Sequence, residues 1–172
     1  IDIFCSAVGT GGTLGGVADY LKSRRRDVRT VCADPRGSAM FDYFRGRELT
    51  VNGSSFTEGI GQGRITKNIE NAPVDHAYRL PDQVIIDMLH FVVKHEGLFV
   101  GSSAATNLCA AYMAAKEFGP GKRIVTILCD GGARYLSRLW NEGWLKTKGL
   151  TLPKGNEDFF KTMPATVTEP SA

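Results

Sequence analysis

Apolar and polar positions fall in blocks along this chain, and the blocks set out an alternating order of strands and helices. Ile1 to Ala7 is a short apolar run, followed by the glycine-rich turn Gly9 to Gly16. Val17, Tyr20 and Leu21 then recur at helical spacing until the charged stretch Lys22 to Asp27 closes the segment. Val28 to Ala33 is predicted to be a second strand, ending at Asp34-Pro35. Strand, loop, helix and strand together take about 35 residues, the size of a βαβ unit. Parallel strands in such units are covered on both faces, which accounts for apolar runs without polar interruption.

Ser38 to Phe44 fits a short helix, and Gly46 to Asn71 reads as a long loop rich in Gly, Ser, Thr and Asn. His76 to Leu80 is a further strand. Pro81 opens a helix through His95, with Val84, Ile85, Met88, Leu89 and Val92 along one side, and Glu96-Gly97 ends it. Leu98 to Ser103 leads to a small-residue helix from Ala104 to Phe118, broken by Gly119-Pro120-Gly121. Arg123 to Cys129 is predicted as a strand, and Asp130-Gly131-Gly132 as the entry to a last helix through about Leu145. The expected fold is therefore α/β: an open, parallel, twisted sheet with helices on both faces over residues 1–152. A loose tail is expected over 153–172, with no internal repeat and no second domain.

Composition narrows the chemistry. A chain of 172 residues is long enough for one domain with a real core. Its 21 Lys+Arg against 18 Asp+Glu leave too small an excess to imply nucleic acid. Lys22, Arg24, Arg25, Arg26 and Arg29 supply much of that charge and read as a solvated helix end. No apolar run approaches the roughly 20 residues that cross a bilayer, so no membrane role is expected. Three of the four cysteines, Cys5, Cys32, Cys109 and Cys129, lie in apolar strand-like runs. Together with His76, His90 and His95 they show no zinc-ligand spacing, so no metal site is expected. Free buried thiols suit a reducing compartment, the cytoplasm or an organelle matrix. The chain begins at Ile1 inside an apolar run, without a signal or transit sequence, and reads as part of something longer.

Three motifs carry candidate chemistry. Gly9-Thr10-Gly11-Gly12-Thr13 lies after a strand and before a helix, where converging backbone N–H groups and the helix N-terminus make a phosphate site. The dinucleotide fingerprint fails there, because Leu14 stands at the third glycine position. Asp34 nevertheless ends the next strand, where a ribose-binding acid would sit, so a nicotinamide-dinucleotide domain is a second reading. Glu58-Gly59-Ile60-Gly61-Gln62-Gly63 suits either a backbone approaching a flat ligand or a flexible surface loop. Asp130-Gly131-Gly132 follows a strand end, where open α/β sheets bind ligands, although Asp130 also suits the N-cap of the last helix. Gly101-Ser102-Ser103 reads as a serine cap on the helix that follows.

In order and spacing, VGTGGTLGGV, the VCADP strand end, EGIGQG, EGLFVGSSAA and TILCDGGARYLSRLW resemble the cysteine synthase (O-acetylserine sulfhydrylase) family of fold-type II enzymes that use pyridoxal 5′-phosphate. Cystathionine β-synthase shares the framework. The resemblance runs from residue 8 to about 150, most of the chain. It implies that Gly9, Thr10, Gly11, Gly12 and Thr13 hold the cofactor phosphate, that Gly59 and Gly61 belong to a loop beside the cofactor, and that Asp130 and Gly131 lie near the pyridine nitrogen. The family has serine where this chain has Gly131, so a water or Asp130 would meet that nitrogen. The implied reaction is a transferase β-replacement in amino-acid biosynthesis, with O-acetylserine and sulfide as substrates and a homodimer as the assembly. The family's Schiff-base lysine belongs to an upstream N-terminal half, and no lysine here lies in its context, so the chain alone is expected to be inactive. A cystathionine β-synthase-like enzyme, the nicotinamide domain and a non-catalytic binding module are the other readings.

Overall fold

The computed structural model describes residues 1–46, 49–51 and 53–153. It forms a parallel four-stranded sheet from β1 (Ile3–Ala7), β2 (Arg29–Pro35), β3 (His76–Leu80) and β4 (Ile124–Thr126), in the order β3-β2-β1-β4. Side-chain alternation sends Ile3, Cys5 and Ala7 of β1 to one face of the sheet and Phe4 to the other. Val31 and Ala33 of β2, with Tyr78 and Leu80 of β3, join the first face, while Cys32 and Ala77 join the second. Both faces are therefore cores, and the strands need no polar side.

Two helices cover the second face, α1 (Gly12–Arg24) and α2 (Met40–Phe44). The first face lies under α3 (Asp82–Glu96) and α4 (Ser102–Phe118), and α4 touches all four strands. Buried Ala104, Ala105, Ala110 and Ala114 let α4 lie close on the sheet. Helix α3 buries Ile85, Ile86, Met88, Leu89 and Val92 and ends on Gly97, whose φ of 68° allows its N–H to reach back to Val93.

Helix boundaries shift from those the sequence suggests. Helix α1 starts at Gly12, inside the glycine-rich turn, and buries Leu14, Gly15 and Ala18 while Tyr20 stays exposed. Helix α4 starts at Ser102, with Gly101 as a cap that makes no side-chain bond, so no serine caps it. The last helix is split. Gly132–Tyr135 is a single 3₁₀ turn, and α5 (Glu142–Thr147) begins anew where the Asn141 side chain accepts the Trp144 N–H at 3.0 Å. Asp130 caps neither segment.

The long connection between α2 and β3 has no helix or strand among its described residues, yet it is tied down. Ile69 is fully buried, and Phe56, Ile60 and Ile65 rest on the two cores. The basic cluster is solvated, as expected: Lys22 pairs with Asp75 at 2.7 Å and Arg25 with Asp2 at 2.8 Å. Among the described residues no helix is long and apolar enough to cross a membrane. The tail expected over 153–172 lies outside the described residues apart from Pro153.

Candidate functional site

The chain builds outward from β1 to β2 and β3, then returns to add β4 on the other side of β1. The connection from β1 runs to β2 on one side while β4 is added on the other, and the carboxyl ends of β1 and β4 border a crevice, the place where open α/β sheets take ligands. A cleft of about 560 Å³ lies there, with Ser6 and Ala7 of β1 on one side and Ile127 and Cys129 after β4 on the other. That volume suits a small organic ligand.

Its floor is the first glycine motif. Gly11 takes a φ of 83° and turns the chain into α1, whose first turn carries no acid and no side-chain cap. The amides at the start of a helix have no intrahelical partner, so these are left for an anion. The Thr10 carbonyl, which would repel that anion, is instead held by the Thr66 hydroxyl at 2.7 Å and the Asn68 amide at 3.2 Å. Gly15 serves a different purpose: a Cβ there would lie 2.2 Å from the Asn68 carbonyl, so glycine allows this loop to lie on α1.

The second glycine motif meets the first. The Gly61 N–H donates to the Val8 carbonyl at 3.1 Å, and a Cβ on Gly9 would lie 2.4 Å from the Gly59 carbonyl. Gly9, Thr10, Gly11, Thr13, Gly59 and Asp130 line the cleft together. Gly12 is the first residue of α1, Gly61 sits behind Gly59 against Pro35, and neither lines it. Gly131 bridges to Val100 on the neighbouring segment and is not in the lining.

The far wall comes from the segment after β4. Asp130 accepts the Tyr135 hydroxyl at 2.7 Å through one oxygen, while the other is buried without a hydrogen bond against Gly101. Burial and the Asp130 carboxylate both push the Tyr135 hydroxyl above its ordinary value. Cys129 is exposed in the cleft rather than buried, unlike the other three cysteines. An ion pair between Glu58 and Arg138 joins the second glycine loop to this wall. Thr66 and Asn68 belong to no motif, and Ser103, Glu58 and Arg138 lie in motifs that gave them no part in a ligand site; only their three-dimensional neighbours reveal them. Among the described residues no cluster of His, Cys, Asp and Glu could hold a metal ion.

Asp34 overturns the nicotinamide reading. It does end β2, but it is fully buried and accepts the Phe41 N–H at 2.8 Å, so no ribose can reach it. Its neighbours are Ser38, Asp42 and Arg79, and burial above all pushes its carboxyl up to about 6.

Free backbone amides at the switch point of a parallel sheet, bordered by two facing glycine loops, have the chemistry to receive a phosphorylated small molecule. A free helix N-terminus, the close backbone approach at Gly9 and the size of the cleft fit the phosphate of pyridoxal 5′-phosphate. Residues 1–130 match the family model of pyridoxal-phosphate dependent enzymes, and the chain belongs to that family. It is 41% identical to cysteine synthase 1 of Emericella nidulans over 166 residues, 92% of this chain and 45% of that protein. The O-acetylserine sulfhydrylase isoform 3 of Entamoeba histolytica has a similar structure, with a TM-score of 0.77 and 32% identity over 95% of this chain and 45% of its own. The O-acetylserine dependent cystathionine β-synthase of Helicobacter pylori gives a TM-score of 0.72 at 31% identity, over 80% of this chain and 43% of its own. The chain thus spans less than half the length of these relatives.

Two outcomes follow. Gly9→Ala must displace one glycine loop and is expected to destabilise the fold by about 2 kcal/mol, whereas Gly131→Ala, whose nearest neighbour is 3.9 Å away, should stay within about 0.5 kcal/mol in urea unfolding. Equal losses would contradict the glycine contact. The second concerns pH. Because Asp34 holds its proton more tightly folded than unfolded, its part of the stability falls as pH rises from about 4 to about 6, by up to about 3 kcal/mol. Asp34→Asn keeps an oxygen for the Phe41 N–H and should flatten that slope. A slope unchanged in the variant would show that Asp34 does not titrate there.

Proposed function

We propose that this chain is the cofactor-phosphate-binding part of an enzyme that makes cysteine from O-acetylserine and sulfide. The single observation that carries the reading is the free N-terminus of α1, held open beneath the contact of Gly9 with Gly59. The amides from Gly11 to Leu14, with the hydroxyls of Thr10 and Thr13, hold the phosphate. The Gly59 loop and the Asp130 segment flank the ring. When bound, the cofactor supplies the electron sink for β-replacement, in which acetate leaves O-acetylserine and sulfide takes its place. Both structural relatives are named for O-acetylserine, which supports it as the donor. The 41% identity to a cysteine synthase supports sulfide as the acceptor.

No lysine lines the cleft among the described residues, so covalent attachment of the cofactor falls to a lysine of an upstream N-terminal half. In this reading Gly12 contributes its backbone amide, whereas Gly61 and Gly131 act through the backbone positions they allow rather than by touching the ligand. The enzyme works in the cytoplasm or an organelle matrix, as a homodimer.

Titration of the full chain with pyridoxal 5′-phosphate, followed by visible absorbance, tests the cradle. Saturable binding that inorganic phosphate weakens is expected. Absence of binding, or binding indifferent to phosphate, would overturn it. Cysteine formation from O-acetylserine and sulfide should appear only when the lysine-bearing half is supplied. Activity of this chain by itself would refute the division of labour.

A further inference from the structure

Nothing in the site described above uses the fully buried side chain of Asn107. Asn107 lies on α4, four residues after the cleft-lining Ser103 and so on the same helix face. Its side-chain oxygen accepts the Ala7 N–H at 2.6 Å, and its amide nitrogen donates to the Ile127 carbonyl at 2.8 Å. The same nitrogen lies 3.6 Å from the Cys129 sulfur.

The sheet register gives these bonds their meaning. Strands β1 and β4 pair from Ile3↔Ile124 to Cys5↔Thr126 and then stop. Had the ladder continued, Ala7 would stand opposite Leu128, and a parallel ladder would send the Ala7 N–H to the Ile127 carbonyl. Those are the two groups that Asn107 occupies. Its carboxamide, which has a carbonyl and an N–H like a peptide, takes the place of one direct backbone bond with two bonds in series. The strands separate by the width of an amide, and neither the buried Ala7 N–H nor the Ile127 carbonyl is left without a partner.

We propose that Asn107 is a positioning residue, a wedge that holds β1 and β4 apart and so fixes the distance between the phosphate-binding wall after Ala7 and the Cys129–Asp130 wall. This deepens the reading of the cleft as a cofactor site and rests on it only for the ligand. The wedge requires an acceptor and a donor on one planar group. Aspartate has the shape but lacks the donor, and its second oxygen would face the Ile127 carbonyl. A ligand that touches only the phosphate wall is indifferent to the spacing, whereas one that spans both walls is not.

The test uses Asn107→Asp and the milder Asn107→Ser, which keeps an acceptor and leaves room for a bridging water. Binding of pyridoxal 5′-phosphate to the full chain should weaken at least about tenfold in Asn107→Asp, with inorganic phosphate affinity held within about twofold, and Asn107→Ser should fall between. In both variants the Ala7 amide should exchange with solvent about tenfold faster than in the parent, while the Phe4 amide on the same strand keeps its rate. Equal losses of both ligands, or unchanged ligand binding in a folded variant, would overturn the wedge. Unchanged Ala7 exchange would overturn it as well. Failure of the parent to bind pyridoxal 5′-phosphate would instead strike at the proposed function, and the exchange measurement would still decide the wedge.

Discussion

Beyond Cys5 and Thr126 the central strand β1 and its edge neighbour β4 cease to bond to each other, and the chain passes from β1 to β2 on the side away from β4. Strand β1 has neighbours on both sides and both faces covered, so its backbone cannot shift without breaking two ladders and two cores. The only freedom left is at its carboxyl end. There the chain turns through Gly9 and Gly11 into α1, and the cleft inherits the rigidity of the strand that supports it. This is the constraint on which the rest of the site depends.

Electrostatics follow from that placement. In the proposed cradle the groups offered to an anion are backbone amides at the first turn of α1, and among the described residues the cleft is lined by no lysine, with Arg134 on the far wall beside Asp130. Amides of a packed helix need no reorganisation to meet a phosphate, whereas a flexible lysine would have to be ordered. Glycine is needed at Gly9 and Gly15 for a separate reason, since each lies under a backbone carbonyl. A run of glycines in the sequence thus does two jobs, turning the chain and admitting a neighbouring loop.

Much of this was legible in the residues. All four strands, α1 through α4 and the meeting of the first glycine loop with a strand end follow from periodicity and turn chemistry. What escaped is decided by tertiary contacts. Glycine gives no helical signal, so the start of α1 at Gly12 was hidden in the turn. Strand β4 pairs over three residues rather than seven, because the Asn107 amide ends the ladder that apolar IVTIL seemed to extend. The last helix is divided into the 3₁₀ turn Gly132–Tyr135 and α5, which Asn141 starts afresh, and the close approach of Gly132 to Phe99 is a contact no spacing rule reports. Asp34 looked like a ligand-binding acid from its place at a strand end, and only its burial shows that it serves the Phe41 amide instead.

The same facts bear on what this part of the enzyme can contribute to catalysis. A cradle of amides holds its ligand equally before and during the reaction, and uniform binding of that kind sets affinity without lowering the barrier to chemistry. In the proposed function its value lies in geometry: a phosphate held at the end of a rigid strand would bring the rest of the ligand between the Gly59 loop and the Asp130 segment. Groups that change their charge or bonding during turnover then work on a ligand that no longer has to be oriented. Among the described residues that line the cleft, such groups are Glu58, which pairs with Arg138, Cys129, Arg134, and Asp130, which is engaged by Tyr135. The walls described here are accordingly an instrument of position, and the wedge at Asn107 matters because position is what they supply.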